Sequence, residues 1–246
     1  TASPAAAHPL WIARQEGLLA NYLPQRSAVV IGQLKTQGLL PTVSAPLLSQ
    51  YGGTFTPPLM LSMSATGQVY YTKDGTDPRQ VGSGAVQGQP YSVPIALDAS
   101  TRIRARTRSP EGDWSALVEA LFVSDRLKGI RVSEIMPNPH APPPGSPYDA
   151  ADFEFVEVCN AGVEAVNLSF ATFDDGIDFT FPNMPLRPGA YAVVVRNLAA
   201  FATRYNTSGL LIAGEYTGAL NSGGERVRLW AAPGGLIMSE FTYGNG

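Results

Sequence analysis

Cysteine is almost absent from this chain of 246 residues: Cys159 stands alone, which excludes an internal disulfide framework and a multi-cysteine zinc site. Its place between Val158 and Asn160 reads as an inert strand thiol. Histidine is nearly as scarce. His8 and His140 are the two present, and neither sits in a context that brings a nucleophile and an orienting acid to it. Charge is thin as well. Asp, Glu, Lys and Arg make up 15% of the chain and the formal net charge is −3, against the usual proportion of about one quarter charged residues. That balance gives no field suited to nucleic acid or to an acidic lipid surface. No apolar run approaches the roughly 20 residues a membrane-spanning helix needs. The opening Thr1–Ala7 lacks the basic start and apolar core of a signal peptide, so a targeting signal is expected upstream.

Turn-forming residues are abundant instead, with 25 glycines and 21 prolines. Such density suits many short strands joined by tight turns and fits poorly with a helical bundle or a parallel α/β sheet. Three segments separate by texture: residues 1–44, 45–125 and 126–246. The expected fold class is mainly β, with a short helical N-terminal segment ahead of two antiparallel β-sandwich modules of about 100 residues each.

In the first segment Trp11, Gln15, Leu18, Leu19 and Tyr22 recur near a 3.6-residue period. Pro24 is expected to stop that helix. Ser27 then caps a second one carrying Val30, Ile31 and Leu34, which Gly38 ends. Two helices of this size make no core alone, so they are expected to pack on something else. The series Tyr22-Leu23-Pro24-Gln25-Arg26-Ser27, Val30, Gln33-Leu34, Gly38-Leu39, Pro41 resembles the closing helices of a CotH-type kinase domain, over about residues 8–42. None of the nucleotide-binding residues that family needs is here, so the resemblance implies an upstream domain and no activity for this chain.

The second segment holds the most informative stretch, Val69-Tyr70-Tyr71-Thr72-Lys73-Asp74-Gly75-Thr76-Asp77-Pro78-Arg79. A β-branched and aromatic strand runs into an Asp-Gly turn and then an Asp-Pro breaker. Further strands are expected at Leu59–Ser64, Ile95–Leu97, Thr101–Arg108 and Ala116–Val123. Strict alternation in Arg102–Arg108 puts Ile103, Ala105 and Thr107 on one side of a strand and Arg102, Arg104, Arg106 and Arg108 on the other. With Gly52-Gly53-Thr54-Phe55 before it and Gly112-Asp113-Trp114 after it, the segment resembles the chitobiase/β-hexosaminidase C-terminal family. That resemblance implies a non-catalytic β-sandwich appended to extracellular enzymes and surface proteins.

From Ile130 the chain offers Ile130–Met136, a Pro-rich loop over Pro137–Tyr148, and the strand Phe153–Asn160. Asn167-Leu168-Ser169, Asp174-Asp175-Gly176-Ile177, Phe179-Thr180-Phe181-Pro182, Leu186–Val195 and Asn221–Leu229 follow. In that order and spacing these motifs resemble a lamin tail domain, which implies an immunoglobulin-like β-sandwich. Family members continue beyond the strand ending at Phe241-Thr242-Tyr243, whereas this chain stops at Gly246, so a final strand is expected to be missing. A nuclear-envelope role is not implied, because no coiled-coil heptads precede the domain.

Three sets of residues offer binding chemistry. Arg102, Arg104, Arg106 and Arg108 form a ladder suited to sulfate, phosphate or uronate groups, or a solvated face balanced by Asp98, Glu111, Asp113 and Glu119. Tyr70, Tyr71, Tyr91 and Trp114 offer sugar-stacking rings or lid packing. Glu134, Glu157, Asp174 and Asp175 match acidic positions of the lamin-tail pattern, with Asp149 and Asp152 on the loop between. They offer oxygens for Ca²⁺, which takes about six to eight, or structural pairing with arginine. Glycosidase chemistry needs paired carboxylates across a sugar cleft, and neither resemblance supplies one. Asn167-Leu168-Ser169 and Asn206-Thr207-Ser208 fit the glycosylation pattern.

The expectation is a non-enzymatic spacer, adhesion or protein-interaction region of a larger secreted or cell-surface bacterial protein, with no bound cofactor beyond that calcium. Its partners are other domains of the same polypeptide and an extracellular glycan or protein. The alternative is a carbohydrate- or polyanion-binding accessory module of an extracellular enzyme.

Overall fold

The computed structural model describes residues 4–244. Thr1–Ser3 of the opening segment and the final Gly246 lie outside the described residues. The protein is mainly β, with two sandwich modules behind a helical N-terminal segment.

That segment departs from the sequence expectation. Helix Pro4–Gly17, a π-turn over Leu18–Tyr22 and helix Leu23–Thr36 follow one another without a break. Pro24 does not stop it, because the proline falls in the first turn after the π-turn, where a missing N–H is tolerated. Gly38 ends it as expected, at φ 69°, with Gly38 N–H donating to Lys35 O and Leu39 N–H to Leu34 O. The expected packing is not there. No described side chain from Pro9 to Leu40 is buried, and Leu10, Trp11, Leu19 and Tyr22 are exposed. No helix among the described residues is long and apolar enough to cross a membrane.

The first module sets a five-stranded sheet against two short ladders. In spatial order the sheet runs Gly53–Phe55, Val118–Ser124, Thr101–Arg108, Gln68–Thr72 and Gln89–Pro90. Leu59–Leu61 pairs with Ile95–Leu97, and Leu47–Leu48 with Met63–Ser64. The sheet is not wholly antiparallel: Gly53–Phe55 runs parallel to Val118–Ser124. Between the layers lie Leu61, Val69, Leu97, Ile103 and Phe122, with Phe55 meeting Phe122 edge-on at 6.3 Å.

The second module has a four-stranded and a five-stranded sheet. The first orders Ile130–Met136, Phe155–Asn160, Tyr191–Val195 and Ile212–Glu215. Its last pair is parallel, again against expectation, because helix Leu198–Arg204 carries the chain back between those two strands. The second sheet orders Thr217–Gly218, Ile177–Thr180, Thr172–Asp175, Arg226–Trp230 and Ile237–Thr242. Val156, Val158, Leu168, Phe173, Leu186 and Leu229 fill the space between them.

One strand serves both cores. In Val118–Ser124, Ala120 and Phe122 point into the first module, while Val123 joins the core of the second and Leu121 packs against it. A single 3₁₀ turn, Asp125–Gly129, then leads into Ile130, and its Leu127 is fully buried in the second core. Thr56 donates to Asp125 at 2.6 Å, and Arg126 pairs with Glu164 across the same join. The modules therefore share a packed seam.

Candidate functional site

The arginine ladder forms as the alternation requires. Ile103, Ala105 and Thr107 are fully buried, and the arginines line the outer face. Register sets Tyr70 beside Arg106, Thr72 beside Arg104 and Glu119 on the other side of Arg104. Two of the four guanidinium groups, Arg104 and Arg106, are held by short hydrogen bonds to protein partners, and the buried Arg102 Nε has none. Arg106 makes a two-pronged pair with Asp77, Nε to Oδ1 at 2.8 Å and Nη2 to Oδ2 at 2.7 Å, and its Nη1 donates to Ser115 O at 2.6 Å. Arg104 donates to Glu119 at 2.6 Å and to Gly75 O at 2.6 Å. Arg102 lies 3.5 Å from Glu119 and stacks 5.2 Å from the ring centroid of Phe170, in the second module.

Of the four acids the sequence offered as partners, only Glu119 pairs with the ladder; Asp98, Glu111 and Asp113 form no ion pair among the described residues. Asp77 was not foreseen. Its signal lay in the Asp-Gly-Thr-Asp-Pro turn, which folds back over the ladder. There Asp74 accepts from Thr76 N–H at 2.9 Å and Thr76 Oγ1 at 2.7 Å. Hydrogen bonding from Arg106 holds the Asp77 carboxyl below its ordinary range, although partial burial opposes this, and the Thr76 hydroxyl does the same for Asp74.

Two aromatics from the sequence set meet at the end of the ladder. Tyr70 and Trp114 pack with centroids 5.6 Å apart, and Trp114 Nε1 donates to Gly84 O at 2.8 Å. Arg108 lies 5.6 Å from the Trp114 ring centroid, and its Nε reaches Gly112 O only at 3.4 Å. Tyr71 turns the other way, edge-on to Tyr91 at 6.5 Å.

The four acids offered for calcium are not gathered. Glu134 and Glu157 oppose each other in the four-stranded sheet, where Glu157 accepts from Ser133 at 2.8 Å. Asp174 and Asp175 lie in the other sheet. Asp174 accepts from Trp230 Nε1 at 2.7 Å and Arg228 at 3.2 Å, while Asp175 pairs with Arg226. Among the described residues no three His, Cys, Asp or Glu side chains converge on a metal-sized point.

Sequence reasoning also passed over Glu154, the most buried carboxylate of the second module at 3% exposure. It accepts from Tyr216 OH at 2.9 Å, Leu220 N–H at 3.0 Å and Arg196 at 3.1 Å. Burial first, then the Glu154 charge, push the Tyr216 hydroxyl far above its ordinary range. Nothing local marks Glu154: its acceptor role depends on residues 42 to 66 positions away.

Where the modules meet, a cleft of 630 Å³ opens between Lys73, Arg102, Asn167, Phe170 and Asn183. Phe170 there adopts a left-handed φ of 71°, rare for an aromatic residue. Asn167 is occupied, with its Oδ1 accepting from Ser169 and Met184 N–H groups, whereas Asn206 is exposed. His140 is exposed on the Pro-rich loop, and Cys159 is half-buried.

A family model described as "Fn3 associated" matches residues 59–122, within the first module. No curated protein matches the chain. Among solved structures, a DUF4876 family protein from Bacteroides thetaiotaomicron VPI-5482 is similar at 12% identity, with TM-score 0.32, over 74% of this chain. The chain spans 66% of that structure's length. The D00-D0 domain of Intimin is similar at 10% identity, with TM-score 0.21, over 82% of this chain and 99% of its own. Likeness at this level transfers no function.

Proposed function

We propose that this chain is a non-catalytic spacer or adhesion region of a larger secreted or cell-surface bacterial protein. In this reading residues 45–125 are a chitobiase C-terminal-type sandwich, residues 126–246 a lamin-tail-type sandwich, and residues 1–44 the tail of a CotH-type domain. The observation that carries it is the shared strand Val118–Ser124, whose two faces enter two cores. Such a joint fixes the angle between modules and transmits position, which is what a spacer needs and what a flexible linker does not supply. The Fn3-associated match supports the same reading. The arginine ladder fits it too, since the charges of Arg104 and Arg106 hold the Asp74–Pro78 turn in place.

The test is small-angle scattering combined with calorimetry on the intact chain. A fixed module angle and one shared unfolding transition are expected. Independent melting of two freely reorienting modules overturns the spacer reading, and turnover of an ester, phosphate or glycoside substrate by the purified chain overturns the non-catalytic one.

A further inference from the structure

Arg102, Arg104 and Arg106 each have a carboxylate partner, whereas Arg108 reaches only the Gly112 carbonyl, at 3.4 Å, and a fifth arginine joins it. Arg108 ends the ladder, and Arg79 follows the Asp77-Pro78 breaker. Among the described residues neither forms an ion pair. Both line one concavity of 340 Å³, together with Ser83, Gly84, Asp113 and Trp114.

The pocket is built by its turns. Gly84 and Gly112 both take left-handed φ values, 70° and 100°. A Cβ at Gly84 would lie 3.7 Å from Arg79 Nε, and one at Gly112 would lie 3.4 Å from Arg108 Nη2. The two glycines therefore border the two guanidinium groups and leave them open. Trp114 is fixed between them by its bond to Gly84 O and its contact with Tyr70. Two arginines without ion-pair partners around a shallow concavity add little to stability, because like charges repel and gain nothing from each other. They make a good receptor for a carboxylate, which takes two-pronged hydrogen bonds from guanidinium.

We propose that this pocket binds the carboxylate of an acidic sugar ring, a uronate, with Arg79 and Arg108 on the acid group and the polar rim of Ser83 and the turn backbone toward the ring hydroxyls. The charge of the lining selects within that class. Two arginines and Asp113 leave one net positive charge, which matches a monoanionic ring better than a densely sulfated one. The volume falls in the range of about 300–1,000 Å³ usual for small-ligand pockets. The proposal does not depend on the spacer reading, since a rigid spacer and a sugar-gripping one differ only here.

Titration calorimetry of the full chain tests it, with trigalacturonate, a heparin-derived tetrasaccharide and a neutral N-acetylglucosamine trimer as probes. Trigalacturonate is expected to bind, and R79Q and R108Q are each expected to weaken it roughly tenfold or more. Arg79 lies on an exposed loop, so R79Q keeps the fold even where R108Q disturbs the strand end; thermal melts of both check this. R102Q, at the far end of the ladder, is expected to bind like the wild type. No binding of trigalacturonate at millimolar concentration overturns the proposal. So does equal binding of the neutral trimer, tighter binding of the heparin fragment, unchanged binding in R79Q, or an equal loss in R102Q.

Discussion

Both sandwiches carry ion pairs on their outer faces, but the second also holds one whose carboxylate is buried. In the first module the ion pairs lie on the outer face: Arg106 and Asp77 retain 16% and 22% side-chain exposure and tie a turn to a sheet. In the second, Glu154, its side chain only 4% exposed, draws an arginine, a tyrosine and a backbone N–H around itself. A half-wet pair is cheap to form and modest in effect. A buried carboxylate is costly to desolvate and costly to strand, so the same chemistry becomes an all-or-none fastening.

The sharpest way to break that contrast is Glu154→Ala. It leaves Arg196, Tyr216 and Leu220 N–H facing an empty acceptor site, and a loss of about 3–5 kcal/mol is expected in urea unfolding of the second module. A loss no larger than that of a surface pair would mean that the buried and exposed pairs fasten the modules equally. Next is Leu127→Ala, which empties a fully buried site in the connecting turn at a cost of about 2–5 kcal/mol. Calorimetry is expected to show the transition splitting in two as the seam loosens.

Titration separates the modules more finely. Asp77 has a lowered folded pKa, so its contribution is present above its unfolded value of about 3.9 and disappears as pH falls through the folded value. Tyr216 has a raised one, so its contribution is present below its unfolded value of about 10 and disappears as pH climbs past it. The first module is therefore expected to weaken in acid, with Asp77→Asn costing about 1–3 kcal/mol at neutral pH and flattening that acid limb. The second is expected to weaken in alkali, with Tyr216→Phe flattening the alkaline limb. Smallest is Asp174→Asn on the outer face of the second module, where a change under about 1 kcal/mol is expected by the same urea measurement.

Much of the architecture was legible because it is written locally. The Arg102–Arg108 alternation announces its own strand and both its faces, and the Asp-Gly turn announces the fold-back after Thr72. What stayed hidden depends on distant partners. Asp77 finds Arg106 across 29 positions, and Glu154 finds Leu220 across 66. Pro24 misled for a different reason: a proline breaks a helix by clashing with the preceding turn, and the π-turn over Leu18–Tyr22 widens that turn. The two parallel strand pairs were equally out of reach, since periodicity gives a strand's faces but not its direction. At the pocket, Arg108 and Trp114 were visible as chemistry. Arg79 was not, because only the loop through Gly84 carries it to them.

The parallel pairing of Gly53–Phe55 with Val118–Ser124 has a mechanical corollary. These strands lie near the two ends of the first sandwich, so tension applied along the polypeptide drags them past each other lengthwise. Their bridging hydrogen bonds then bear load together instead of parting one at a time like a zipper. Lengthwise pulling on this module therefore meets a sheared ladder at the Gly53–Phe55 edge, not one that peels open.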